Sequence, residues 1–109
     1  MSGKKPNVIF VLTDDQGYGD LGCTGNPDIR TPEIDRFYAD SVRLTDYHVA
    51  PLCAPTRGAL FTGRRPFRNG VWATCWGRSI LHKDETTLAD LFSRNGYATG
   101  LFWKMASGR

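Results

Sequence analysis

The sequence predicts an α/β fold built on a mostly parallel sheet. Three observations carry that expectation. A continuous apolar, β-branched run lies near the start, at 8–12. Two amphipathic stretches, after Pro32 and after Glu85, carry helix-start and helix-stop residues. Strand character then returns near the end, so extended and helical segments alternate along the chain. A length of 109 residues suits one small domain.

Taken in order, Val8 to Leu12 follows Pro6-Asn7 and precedes Thr13 and two acids, as a buried parallel strand would. Residues 16–30 hold five glycines or prolines and read as a loop. Thr31-Pro32-Glu33 has the form of a helix start: a capping hydroxyl, a proline in the first turn and an early acid. Ile34, Phe37, Tyr38 and Val42 follow at helical spacing. Val42 to Val49 alternates and is expected as a strand. Pro51 to Thr56 is a turn, a short helix is expected from near Thr56 to Gly63, and 63–79 reads as loop. Glu85 to Arg94 is expected as a helix with an apolar stripe of Leu88, Leu91 and Phe92, stopped by Asn95-Gly96. Tyr97 to Trp103 returns to strand character.

Composition narrows the function classes. The chain is 40% hydrophobic and 23% charged, which is ordinary for a globular protein. Its net charge of +3 is too weak to point to nucleic acid, and no basic run with interleaved aromatics supports one. No segment is long enough to span a membrane and no signal peptide is visible, so neither nucleic acid nor membrane is expected as a partner. Location stays open. Cys23, Cys53 and Cys75 are odd in number and widely spaced, which argues against a disulfide framework or a zinc knuckle.

Two stretches carry chemistry. LTDDQGYGDLG, residues 12–22, contains G-x-G-x-x-G and the adjacent acids Asp14 and Asp15. A dinucleotide site needs its third glycine in the opening turn of a helix. Here Gly22 runs into CTGNPDIRTP, and two carboxylates would repel phosphates. Read instead as metal ligands, the acids offer hard oxygen donors for calcium or magnesium, just past the carboxyl end of a strand. A solvated acidic loop is the bland alternative. CAPTRGALFTG, residues 53–63, is more specific. Cys53 sits ahead of a predicted helix, where the helix N-terminus and Arg57 favour a thiolate. A small buried cysteine beside a turn is the alternative.

This second stretch resembles the signature of the type I sulfatase family, within the alkaline-phosphatase-like superfamily: C-x-P-S/T-R, two variable residues, two apolar residues, then Thr-Gly. Cys53, Pro55, Thr56, Arg57, Leu60, Phe61, Thr62 and Gly63 match it. PNVIFVLTDDQGYGDLGCTGNPDIRTPEIDRF, GRRPFRNGV and TLADLFSRNGYATGLFWK are similar to the family's flanking segments, so the resemblance runs from about Pro6 to Lys104. It implies the N-terminal part of an alkaline-phosphatase-like sandwich, truncated, with 1–109 a piece of a sulfatase catalytic domain.

By the same resemblance, the activity is hydrolysis of a small-molecule or saccharide sulfate ester. Cys53 would be converted to formylglycine by a formylglycine-generating enzyme, and its hydrated form would be nucleophile and metal ligand. Asp14 and Asp15 would hold Ca2+ or Mg2+. Arg57 would balance the nucleophile's charge, and Lys104 would contact the sulfate. A phosphatase or phosphodiesterase of the same superfamily shares the strand and acids but would carry Ser or Thr in place of Cys53. A non-catalytic interaction module on the same scaffold is the third reading.

The chain departs from the family at LFWKMASGR, where G-K-W-H-L-G is expected: Trp103 replaces glycine, Met105 tryptophan and Ala106 histidine. Family members are several times longer and draw further metal ligands from the rest. The segment alone is therefore expected to be nearly inactive. His48 is expected as a packed strand residue and His82 as an exposed one. Trp72, Trp76 and Trp103 are expected in packing, and Arg64, Arg65 and Arg68 on a solvated loop.

Overall fold

The computed structural model describes residues 5–102 except 75–78. The chain divides into two compact units, Met1–Thr45 and Asp46–Arg109.

In the first unit, helix α1 spans Pro32–Asp40, with Pro at its first turn and Glu33 and Asp35 near its N-terminus. Proline's fixed φ suits that position, and early acids complement the helix dipole. Thr31 precedes it as expected but makes no cap to the first helical N–H groups. Its hydroxyl instead accepts from Gly22 N (3.0 Å) and donates to Asp35 Oδ1 (2.7 Å). Asp35 Oδ1 also accepts from Cys23 N at 2.8 Å. The glycine-rich loop is thereby stapled onto α1 by side chains. Asn26 adds a second staple, accepting from Asp28 N and Ile29 N and donating to Gly19 O. Such asparagine turns order a loop without regular structure.

In the second unit, α2 spans Cys53–Thr62, α3 Pro66–Asn69 and α4 Leu88–Arg94. Helix α2 starts three residues earlier than the sequence predicts, which makes Cys53 its first residue. Helix α3 falls within the expected loop. Helix α4 begins at Leu88, not near Glu85, because Thr87 and Asp90 form a reciprocal cap: Asp90 N donates to Thr87 Oγ1, and Thr87 N donates to Asp90 Oδ2. Glu85 serves elsewhere. Its carboxylate, 4% exposed, accepts from Arg64 Nη1 at 2.6 Å and joins the end of α2 to the approach of α4. Phe92 and Tyr97 meet edge to face, centroids 5.0 Å apart, closing the turn after α4.

The core of this unit is small and unusually polar. Ala54, Val71 and Ala73 are its buried apolar residues, beside Asn69, Ser79 and Arg57. Asn69 is fully buried and repays that with hydrogen bonds. Its Nδ2 donates to Thr62 Oγ1 and Arg64 O, and its Oδ1 accepts from Val71 N. No buried side-chain N or O among the described residues lacks a partner, as the cost of orphaned polar groups requires.

The expected sheet is not formed. Residues 8–12, 42–49 and 97–102 belong to no strand ladder, and no strand occurs among the described residues. Ile9 (85%) and Val11 (88%) are exposed, where the sequence predicts a buried strand. A parallel strand is stable only with neighbours that take its N–H and C=O groups and layers that cover its faces. Apolar, β-branched composition supplies neither. The α/β expectation is therefore not met by strand ladders among the described residues. His48, expected as packed, is exposed with Nε2 2.7 Å from Asp46 Oδ1. His82 is exposed, as expected. Cys75, Trp76, Trp103 and Lys104 lie outside the described residues.

Two carboxylates, Asp35 and Asp90, make stability pH-dependent. The Thr31 hydroxyl, with the Cys23 N–H, holds Asp35 below the usual carboxylate range despite some desolvation. Asp90 is lowered likewise by the Thr87 hydroxyl and then the Thr87 N–H. A carboxylate that binds protons more weakly when folded stabilises the fold above its unfolded pKa, and that stability is lost as pH falls through the lower folded value. Urea unfolding midpoints should therefore fall below about pH 5. Asp35→Asn and Asp90→Asn should each flatten that decline.

Candidate functional site

Helix α2 builds the site in the second unit. The turn before it is fixed by Thr56, whose Oγ1 lies 2.9 Å from Ala50 O and 2.8 Å from Leu52 O. Leu52 takes the extended N-cap conformation, and Cys53 is the first helical residue. Pro55 sits in the first turn, where its missing N–H costs nothing. The signature thus folds as a rigid helix start with position 53 at the positive end of the dipole, an environment that favours an anionic nucleophile. Arg57 follows four residues later, one turn along the same helix surface, and is 9% exposed. At the far end Thr62 Oγ1 donates to Gly58 O, and Gly63 closes the helix in the left-handed conformation.

Beside α2 lies an apolar cleft of about 270 Å³, lined among others by Ala54, Arg57, Phe61, Val71, Leu81 and Leu101. Val71 packs so tightly on the helix that only glycine fits at position 58: a Cβ there would lie 2.9 Å from Val71 Cβ. The thiol of Cys53 is half-buried, with Sγ 3.6 Å from Thr74 Oγ1.

Asp14 and Asp15 belong to the first unit and follow the apolar run 8–12 as the sequence predicts. Asp15 adopts φ +53°, the one positive φ outside glycine among the described residues. Aspartate tolerates that region better than most residues, at a modest cost. Both side chains are exposed carboxylates and suit a hard divalent cation. Among the described residues, no three His, Cys, Asp or Glu side chains are grouped as a metal site. The two acids therefore fit part of an oxygen-rich shell and do not complete one.

Cys23 is the other described cysteine and lies in the first unit. Burial, and then the hydrogen bond and charge of Asp35, push its thiol above the usual range.

A family model described as Sulfatase matches residues 6–108. The chain belongs to the sulfatase family. Arylsulfatase D of Homo sapiens is 44% identical over 113 residues, covering 95% of this chain and 19% of that protein. Arylsulfatase A of Homo sapiens is 40% identical over 109 residues, covering 96% and 22%. Steryl-sulfatase of Homo sapiens is 42% identical over 118 residues, covering 98% and 20%. The chain thus spans about a fifth of the length of these relatives. No solved structure matches it significantly. No helix among the described residues is long and apolar enough to cross a membrane.

Within this sulfatase segment, Cys53 and Arg57 come together on one helix, and Asp14 and Asp15 share a turn in the other unit. Sequence reasoning missed Asn69, Thr74 and Ser79. The Asn69-Gly70 pair is a turn signal that was available in the sequence. Thr74 and Ser79 carry no local signal, because their partners are distant in the chain.

Proposed function

We propose that these 109 residues are the nucleophile-bearing segment of a sulfuric ester hydrolase, which releases inorganic sulfate from an organic sulfate ester. The observation that carries the reading is Cys53 as the first residue of α2, with Pro55, Thr56 and Arg57 in the turn behind it, in a chain of the sulfatase family. Cys53 is oxidised to formylglycine by a formylglycine-generating enzyme, with dioxygen as the oxidant and loss of the thiol sulfur, and the aldehyde hydrates to two hydroxyls on one carbon. One hydroxyl attacks sulfur as the S–O bond to the alcohol breaks. The alcohol leaves with a proton. The second hydroxyl then loses its proton, the C–O bond to sulfate breaks, and the aldehyde returns. An ordinary serine sulfate would need water to attack sulfur again, which is slower.

Arg57, held four residues from position 53, balances the negative charge on the nucleophile. By the family resemblance, Asp14 and Asp15 would supply oxygen ligands to a divalent cation, calcium or magnesium, and residue 53 would be a further ligand. Bound there, the cation supplies positive charge at the reacting centre. Calcium takes ~6–8 oxygens, so the remaining ligands come from outside these residues. By the family resemblance, Lys104 would contact the sulfate.

Mass spectrometry of the tryptic peptide containing Cys53, after co-expression with a formylglycine-generating enzyme, tests the reading. The aldehyde is the expected form. An unmodified thiol throughout removes the proposed nucleophile. An aryl sulfate should be hydrolysed by the complete enzyme in preference to the matching aryl phosphate, and the reverse preference would favour a phosphoryl hydrolase.

A further inference from the structure

We propose that Thr74 is a positioning residue for the nucleophile at position 53, its hydroxyl orienting that side chain at the start of α2. The proposal rests on the sulfatase reading above.

Thr74 reaches Cys53 across 21 positions of sequence, with Oγ1 3.6 Å from Sγ, a hydrogen-bonding separation for the larger sulfur atom. The contact is built from both sides. On one side, Val71 is locked against Gly58 of α2. From Gly58 back to Cys53 the helix advances about 7.5 Å. From Val71 to Thr74 the chain can span at most about 10 Å. The segment therefore runs along α2 against its direction and delivers position 74 to position 53.

On the other side, the residue next to Thr74 is clamped. The buried hydroxyl of Ser79 accepts from Ala73 N at 2.9 Å and donates to Ala73 O at 2.7 Å. Both backbone polar groups of Ala73, one in each flanking peptide unit, are fixed by one side chain that is itself 7% exposed. Thr74, by contrast, is exposed, so packing alone does not demand a hydroxyl at this position. A threonine anchored through its clamped neighbour Ala73 restricts the rotamers of residue 53 at the helix start. Restricting the reacting group to a productive geometry lowers the barrier without changing what binds substrate.

The test compares Thr74→Val, which keeps the shape and removes the hydroxyl, with Thr74→Ser, which restores it, in the complete enzyme. Formylglycine content is measured for each variant by mass spectrometry, and kcat is expressed per formylglycine. Thr74→Val should lower kcat about fivefold, the size expected for one lost hydrogen bond, with KM and melting temperature unchanged. Thr74→Ser should recover kcat. Unchanged kcat in Thr74→Val, alongside an active parent, overturns the positioning role and leaves the sulfatase reading intact. Equal falls in kcat and in melting temperature would show a structural role and overturn it too. A parent that carries no formylglycine sinks the sulfatase reading itself.

A second measurement does not depend on turnover. In enzyme made without the converting partner, alkylation of Cys53 by iodoacetamide is followed on its own peptide. Its rate should change severalfold in Thr74→Val and return in Thr74→Ser. Equal rates in all three proteins overturn the contact.

Discussion

Converting Cys53 to serine should leave a complete enzyme that takes up one sulfuryl group and then stops. The serine hydroxyl occupies the same helix start and faces the same dipole, so attack on sulfur is still available. The resulting ester has no second hydroxyl on its carbon, so the proposed expulsion of sulfate is not open to it. The expected signature is a burst of alcohol equal to the enzyme, followed by turnover slowed about 10⁴-fold or more, and a covalent adduct on the peptide containing position 53. Cys53→Ala should lose the burst as well. A rate loss of that size corresponds to about 5.5 kcal/mol of transition-state stabilisation. Sustained turnover by Cys53→Ala would remove residue 53 from the chemistry. Intact-protein mass and pre-steady-state release of an aryl alcohol are the two readouts.

The largest expected effect on stability is at Gly70. A Cβ there would lie 2.4 Å from Ile80 O and 2.6 Å from His82 Cδ2, and the backbone sits at φ +90°. Two costs add. A side chain in left-handed conformation costs about 1 kcal/mol, and a collision with backbone, which cannot swing aside, adds about 1–3 kcal/mol. Gly70→Ala should therefore cost about 3 kcal/mol, read as a lower urea midpoint. Gly63→Ala isolates the backbone part, because Gly63 has φ +65° but open space around its Cβ position. Its cost should be about 1 kcal/mol. Similar losses at the two positions would mean that the approach of residues 80–82 to Gly70 is not retained in solution. Gly70 sits between α3, which it ends, and the His82 N–H to Asn69 O bond. Its loss should loosen the segment 71–74 that reaches Cys53.

The helices were legible where local chemistry decides them. Pro32 with Glu33 and Asp35 marked α1, and the alternation of Leu88, Leu91 and Phe92 before Asn95-Gly96 marked α4. Boundaries slipped where two roles compete for one residue. Glu85 looks like an early helical acid, yet it is drawn away by Arg64, and Thr87 takes the cap. Thr31 looks like a cap and is spent on the loop and on Asp35. The strands failed for a different reason. Hydrophobic periodicity reports which residues want burial, whereas a ladder requires partners for every N–H and C=O along the run.

The sequence by itself determined the family and the order of the signature residues, because Cys53, Pro55, Thr56 and Arg57 lie within about one helical turn and need no distant partner to be recognised. Only the tertiary structure decided that Asn69 and Ser79 are buried polar struts and that Thr74 lies against Cys53. Those contacts join residues far apart in the chain through hydrogen bonds with strict distances, and no local pattern encodes a meeting that the path of the backbone alone brings about.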